Sequence, residues 1–177
     1  MSGLVIGGGR GVDPASGMDA IGDVALMDGR IVAVGTGLGS AERTIDATGL
    51  VVAPGFIDLH AHGQSIPADR MQAFDGVTTT LDLEAGVLPV ASWYRRQADT
   101  GRVLNYGAAA NWAFARIGAM TGSNAESSLE AFGAAMRDRR WIENVASEAE
   151  VAGILDRLAG GLNEGGIGIG ILNAYAP

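Results

Sequence analysis

The chain has 177 residues, with 28 glycines, no cysteine, two histidines and a formal net charge of −8. All twelve basic residues are arginine, which excludes a phosphate-loop lysine, a Schiff-base lysine, a carboxylated lysine between two metals, a cysteine nucleophile and a thiolate metal site. The acidic balance argues against nucleic-acid binding. No apolar stretch approaches the ~20 residues of a membrane span and no signal-peptide pattern opens the chain, so a cytoplasmic protein without membrane contact is expected.

The first fifty residues read as short strands and turns. Leu4-Val5-Ile6 runs into a turn at Gly7-Gly8-Gly9, and Asp13-Pro14 marks another. The glycine run precedes no helix, so a turn explains it better than a phosphate cradle. Asp23 to Met27 and Arg30 to Val34 are β-prone and joined by Asp28-Gly29, a hairpin signal because a type I′ turn needs positive φ at both central residues. Thr44-Ile45-Asp46 and Leu50-Val51-Val52 add two strands. Residues 1–54 therefore form a small β unit, too thin to bury a large core alone.

After Pro54, apolar runs alternate with helical stretches. Strands are expected at Phe56 to His62, Val77 to Leu83, Val103 to Ala110 and Ile167 to Leu172. Helices are expected at Ala68 to Phe74 and Pro89 to Ala98, with a mostly helical region reaching Leu162. Ser147 and Glu150 make a capping box ahead of Val151, Ile154, Leu155, Leu158 and Leu162 on one helical face. This α/β alternation implies parallel strands with right-handed crossovers. A doubly wound sheet would be complete at this length, whereas a (β/α)₈ barrel takes ~250 residues. The sequence stops at Ala176-Pro177, just past the fourth strand, which favours the N-terminal half of a TIM barrel over residues 55–177.

Both histidines lie in one run, and on a strand His60 and His62 point to the same side, with Asp58 one step earlier. Two imidazoles at the C-terminal end of a first barrel strand can grip one metal ion, and imidazole suits Zn²⁺. The plainer alternative is two histidines that merely neighbour a strand end. Asn111 and Trp112 follow the third strand and could touch a substrate. Trp93 to Arg96 read as helix packing and a solvated basic patch.

The segment Pro54-Gly55-Phe56-Ile57-Asp58-Leu59-His60-Ala61-His62 resembles the first-strand signature of the amidohydrolase superfamily, metal-dependent hydrolases on a TIM barrel. Asp28 to Gly35 and Ile45 to Pro54 resemble the N-terminal part of its small β-sandwich, and Gly76-Val77-Thr78-Thr79 fits as well. Gly166 to Pro177 resembles the fourth-strand segment of the N-acyl-D-amino-acid deacylase (D-aminoacylase-like) branch. The resemblance implies that His60 and His62 bind the metal, one or two Zn²⁺ ions, and that Tyr175 polarises the scissile carbonyl. It places Glu84, in this lysine-free and cysteine-free chain, where a bridging ligand stands. Asp58 then lies beside the metal and orients an imidazole by accepting its second N–H.

The implied reaction is hydrolysis of an amide C–N bond, in an N-acyl amino acid, by a metal-activated water. The family's further histidines and its acid/base aspartate come from later strands, so this chain alone is expected to hold part of a site and to be inactive. Its partners are then a small-molecule amide substrate in the full-length enzyme and the missing half or a second copy at the open barrel edges. The alternatives are a cyclic-amide hydrolase of the dihydroorotase or hydantoinase type, a non-catalytic fragment acting only by association, and a complete doubly wound binding module.

Overall fold

A computed structural model describes residues 2–39, 41–62 and 64–172. The chain divides into two compact units, Met1–Pro54 and Gly55–Pro177. Among the described residues no helix is long and apolar enough to cross a membrane.

The first unit contains β1 (Ser2–Asp13), β2 (Met18–Met27), β3 (Arg30–Gly35), β4 (Ala41–Asp46) and β5 (Val51–Val52). They make one five-stranded sheet in the order β3-β2-β1-β4, with β5 also paired to β1. The segment expected as the N-terminal part of a small β-sandwich contributes one mixed sheet. β1 runs antiparallel to β2 and parallel to β4 and β5. The glycines expected to form a turn after Ile6 lie inside β1, and the register shifts between Ile6 and Gly9. The turn signal is absorbed as a bulge, because pairing continues on both sides of it. The β2–β3 hairpin turns at Asp28 (φ 50°) and Gly29 (φ 73°), the two positive φ values of a type I′ turn.

The second unit contains β6 (Phe56–Asp58), α1 (Ile66–Phe74), β7 (Val77–Val87), α2 (Val90–Thr100), β8 (Asn105–Asn111), α3 (Trp112–Thr121), α4 (Leu129–Ala135), α5 (Arg139–Glu143), α6 (Glu148–Asn163) and β9 (Ile169–Gly170). The four strands pair in parallel and in chain order, β6-β7-β8-β9. Side chains cap the helices where the sequence offers short polar residues: Ser65 at α1, Asn111 at α3, Ser128 at α4 and Asp138 at α5. The Ser147–Glu150 capping box opens α6. The region expected to be mostly helical is four helices, α3 to α6, since Gly122 in the left-handed conformation ends α3 and each later cap restarts the chain.

The core lies between sheet and helices. Val87, Val90, Trp93, Ala108, Ala110, Ala115, Ile154 and Leu158 form one buried cluster. The small side chains of β8 let α6 lie close against it. Ile117, Met120 and Trp141 form a second cluster, and the buried indole of Trp141 donates to Ala135 O at 2.7 Å. β7 and β9 depart from expectation in opposite directions. β7 runs four residues further, to Val87, which pairs with Ala110 beyond a register shift. β9 spans two residues, although Ile167 N–H also bonds Ala108 O at 3.0 Å and Ala110 N–H bonds Gly168 O at 2.8 Å.

Candidate metal centre

Strand β6 ends at Asp58, so both histidines lie beyond the regular strand expected to carry them. Two backbone links hold them against β7. His60 makes an isolated bridge to Asp82, and Ala61 N–H donates to Leu81 O at 3.1 Å. Glu84 sits inside β7, not at its end, in the stretch where the register with β8 shifts. Gly86 enables that irregularity: its φ is 71°, and a Cβ there would stand 2.4 Å from Ala109 O. Its N–H donates to Asp82 Oδ1 at 3.0 Å, closing the bulge on itself.

Three donor atoms converge. His60 Nε2 lies 2.9 Å from His62 Nε2, His62 Nε2 lies 2.9 Å from Glu84 Oε2, and His60 Nε2 lies 3.0 Å from the same oxygen. The two rings meet edge to face at 90°. Protons alone cannot satisfy this triangle. Each contact needs one N–H, yet each Nε2 carries at most one, and if both are protonated the two N–H groups oppose each other. Two neutral imidazole nitrogens and a carboxylate oxygen facing one point are a donor set for a divalent cation such as Zn²⁺. The side chains of His60, His62 and Glu84 are 63%, 50% and 32% exposed, so an ion has open access. Asp82 stands behind His62, with Oδ1 at 3.7 Å from Nδ1, and is 15% exposed. That distance is too long for a direct hydrogen bond.

Asp58 does not take up the imidazole contact expected of it. Its Oδ1 accepts the His60 backbone N–H at 2.9 Å, and its Oδ2 accepts from Gln72 Nε2 of α1 at 2.8 Å. It therefore shapes the backbone that carries the rings. Asn111 is also structural: it is buried, caps α3 through Phe114 N–H at 2.8 Å and donates to Gly86 O at 3.3 Å. Trp112 packs on the main core, with the Arg116 guanidinium 6.0 Å from its ring centroid. On α2, Trp93 is core and Arg96 pairs with Glu126. Tyr175 lies outside the described residues.

Behind the histidines is a buried pair that sequence reasoning missed. Asp69 of α1 and Arg102 have side chains 0% and 2% exposed and join through two bonds of 2.5 and 2.6 Å. Burial pushes the Asp69 carboxyl up, but the Arg102 hydrogen bonds and charge, with the Val103 and Leu104 backbone N–H groups, bring it below the ordinary carboxylate value. The partners are 33 residues apart, so no local spacing announces them.

The sequence model of the amidohydrolase family matches residues 43–176. Dihydroorotase from Solibacter usitatus is 52% identical over 60 residues, which are 33% of this chain and 14% of that enzyme. The structure of N-acyl-D-glutamate deacylase from Bordetella bronchiseptica, a complex with zinc and a phosphonate mimic of the tetrahedral intermediate, superposes with a TM-score of 0.79 at 25% identity. That match covers 99% of this chain and 39% of the deacylase. A D-aminoacylase described as having a binuclear metal centre superposes with a TM-score of 0.78 over all of this chain and 40% of its own, at 22% identity, a likeness of fold. This chain thus spans well under half the length of each.

Proposed function

This chain belongs to the amidohydrolase family, and from that premise we propose that it is the N-terminal part of a metal-dependent hydrolase that cleaves the amide C–N bond of N-acyl amino acids. The observation that carries the reading is the triangle of His60 Nε2, His62 Nε2 and Glu84 Oε2, with sides of 2.9, 2.9 and 3.0 Å. On this reading His60 and His62 hold the ion as neutral imidazoles, and Glu84 adds an anionic oxygen that serves as the bridging ligand where a second ion binds. Zinc is the proposed metal, supported by the donor set and by the zinc in the Bordetella deacylase. When bound, such an ion supplies Lewis acidity that polarises a carbonyl and activates water. Tyr175 donates a hydrogen bond to the amide carbonyl.

The architecture proposed for residues 55–177 is the first half of a (β/α)₈ barrel. Four parallel strands adjacent in chain order support it, because a doubly wound sheet reverses its strand order. The 177 residues contain only these two histidines, so the chain by itself is proposed to bind an ion without turning over substrate. Its proposed partners are the rest of the barrel and a small amide substrate, in the cytoplasm.

A second reading rests on the dihydroorotase similarity around the histidine segment: a cyclic amide as substrate. Two measurements test these readings: the first tests the metal centre that both share, and the second separates the substrates. Zinc titrated into the 177-residue chain is expected to bind and to be lost in a His60→Ala, His62→Ala double variant; equal binding in both overturns the metal centre. A protein carrying this chain with its downstream coding sequence is expected to release free amino acid from N-acyl-D-amino acids. Hydrolysis of dihydroorotate instead selects the second reading.

A further inference from the structure

We propose that Gln64 and Gln72 are positioning residues, each relaying a rigid part of the fold to the backbone that carries the metal-ligating histidines. The inference rests on the metal-centre reading above. The histidine segment has left the regular strand and keeps two backbone links to β7, so side chains supply its further supports. The first relay starts at Arg102, whose five N–H protons each have an acceptor. Nε donates to Asp69 Oδ2 at 2.6 Å, and Nη2 donates to Asp69 Oδ1 at 2.5 Å and to Thr80 Oγ1 at 3.3 Å. Nη1 donates to Gln97 Oε1 at 2.9 Å and to Gln64 Oε1 at 3.1 Å.

Arginine has no acceptor, so Gln64 must turn its oxygen to Arg102 and its NH₂ the other way. That NH₂ donates to Ala61 O at 3.3 Å, the carbonyl between the two histidines. The second relay starts on α1. A carboxylate only accepts, so Gln72 must present its Nε2 to Asp58 Oδ2, at 2.8 Å, while Asp58 Oδ1 holds the His60 N–H at 2.9 Å. One relay thus grips the Ala61 carbonyl, in the peptide that leads into His62, and the other the His60 N–H, in the peptide that leads into His60. Together they fix the peptide planes from which both imidazoles project.

The test uses the isosteric variants Gln64→Glu and Gln72→Glu. Gln64→Glu keeps its volume and its acceptor for Arg102 but can no longer donate to Ala61 O. Gln72→Glu sets a carboxylate against Asp58. Each adds negative charge, which by itself would strengthen cation binding, so a loss of affinity has to come from lost positioning. Cobalt(II) is titrated into the 177-residue chain and each variant, followed by its visible absorption band, with the metal-free thermal midpoint as control. The expected result is affinity lowered ~10-fold or more in both variants, on the scale of outer ligand-supporting contacts, with the Gln64→Glu metal-free midpoint unchanged. Unchanged cobalt affinity in both variants overturns the proposal. So does a loss that a Gln64→Met variant, which keeps the packing and loses both hydrogen bonds, does not share. If the parent chain itself shows no cobalt band, the metal-centre reading fails first and is seen to do so.

Discussion

Arg102 and Asp69 form a two-bond ion pair of 2.5 and 2.6 Å that is almost wholly withdrawn from water and ties the segment leading into β8 to α1. Attraction between buried charges roughly offsets their desolvation, but removing one partner leaves the other uncompensated. Asp69→Ala is therefore expected to destabilise the chain by about 3–5 kcal/mol. Urea unfolding followed by circular dichroism measures this. A change under about 1 kcal/mol, the scale of an exposed ion pair, would show that the pair is solvated.

The same pair sets a pH dependence. Asp69 has a carboxyl held below its ordinary value in the folded chain, so the unfolded state binds its proton more readily. Its contribution is fully present above the ordinary carboxylate range and is lost as pH falls through the depressed folded value. The stability gap between the parent chain and Asp69→Asn is expected to be constant from about pH 7 to 5 and to shrink below about pH 4. Urea midpoints across that range check it, and a gap that widens on acidification would contradict the sign.

Glu84 Oε2 is the corner shared by two edges of the donor triangle. Glu84→Gln keeps the shape and removes the charge, so zinc or cobalt affinity is expected to fall by more than the ~10–100-fold typical of contacts behind the ligands. Calorimetric titration measures it. Unchanged stoichiometry and affinity would remove Glu84 from the site.

Binding confined to the folded state raises stability by mass action, about 2.7 kcal/mol at a free ion concentration 100 times the dissociation constant. Zinc is expected to raise the thermal midpoint of the chain, a chelator to reverse the shift, and the His60→Ala, His62→Ala double variant to show neither effect. Differential scanning fluorimetry with and without zinc suffices. An equal shift in the double variant would place the ion elsewhere.

Gly86 couples backbone geometry to the site, since its φ of 71° and its approach to Ala109 O leave no room for a side chain. Gly86→Ala is expected to cost about 1–3 kcal/mol of stability, the scale of a strained backbone position. It should also weaken metal binding, because the bulge carrying Glu84 has to move. Paired urea and cobalt titrations check this, and intact cobalt affinity in a destabilised variant would uncouple bulge from site.

Sequence alone determined the local features. Asp28-Gly29 specified its turn because only certain residues tolerate two positive φ values. Ser147 and Glu150 specified a helix start because their side chains meet nearby N–H groups. His60 and His62 stood out by being the chain's only imidazoles. Tertiary structure decided the rest, because the contacts join residues far apart in the chain. It placed Glu84 against both histidines from 22 residues away in the case of His62, it carried β1 through a glycine run by giving it partners on both sides, and it turned Asp58 from an imidazole to the His60 backbone. The Asp69–Arg102 pair and the Gln64 and Gln72 relays have no periodicity and no motif. They exist only once α1 packs beside β7 and the segment leading into β8, where the buried Asp69 and Arg102 side chains must find their partners within the protein.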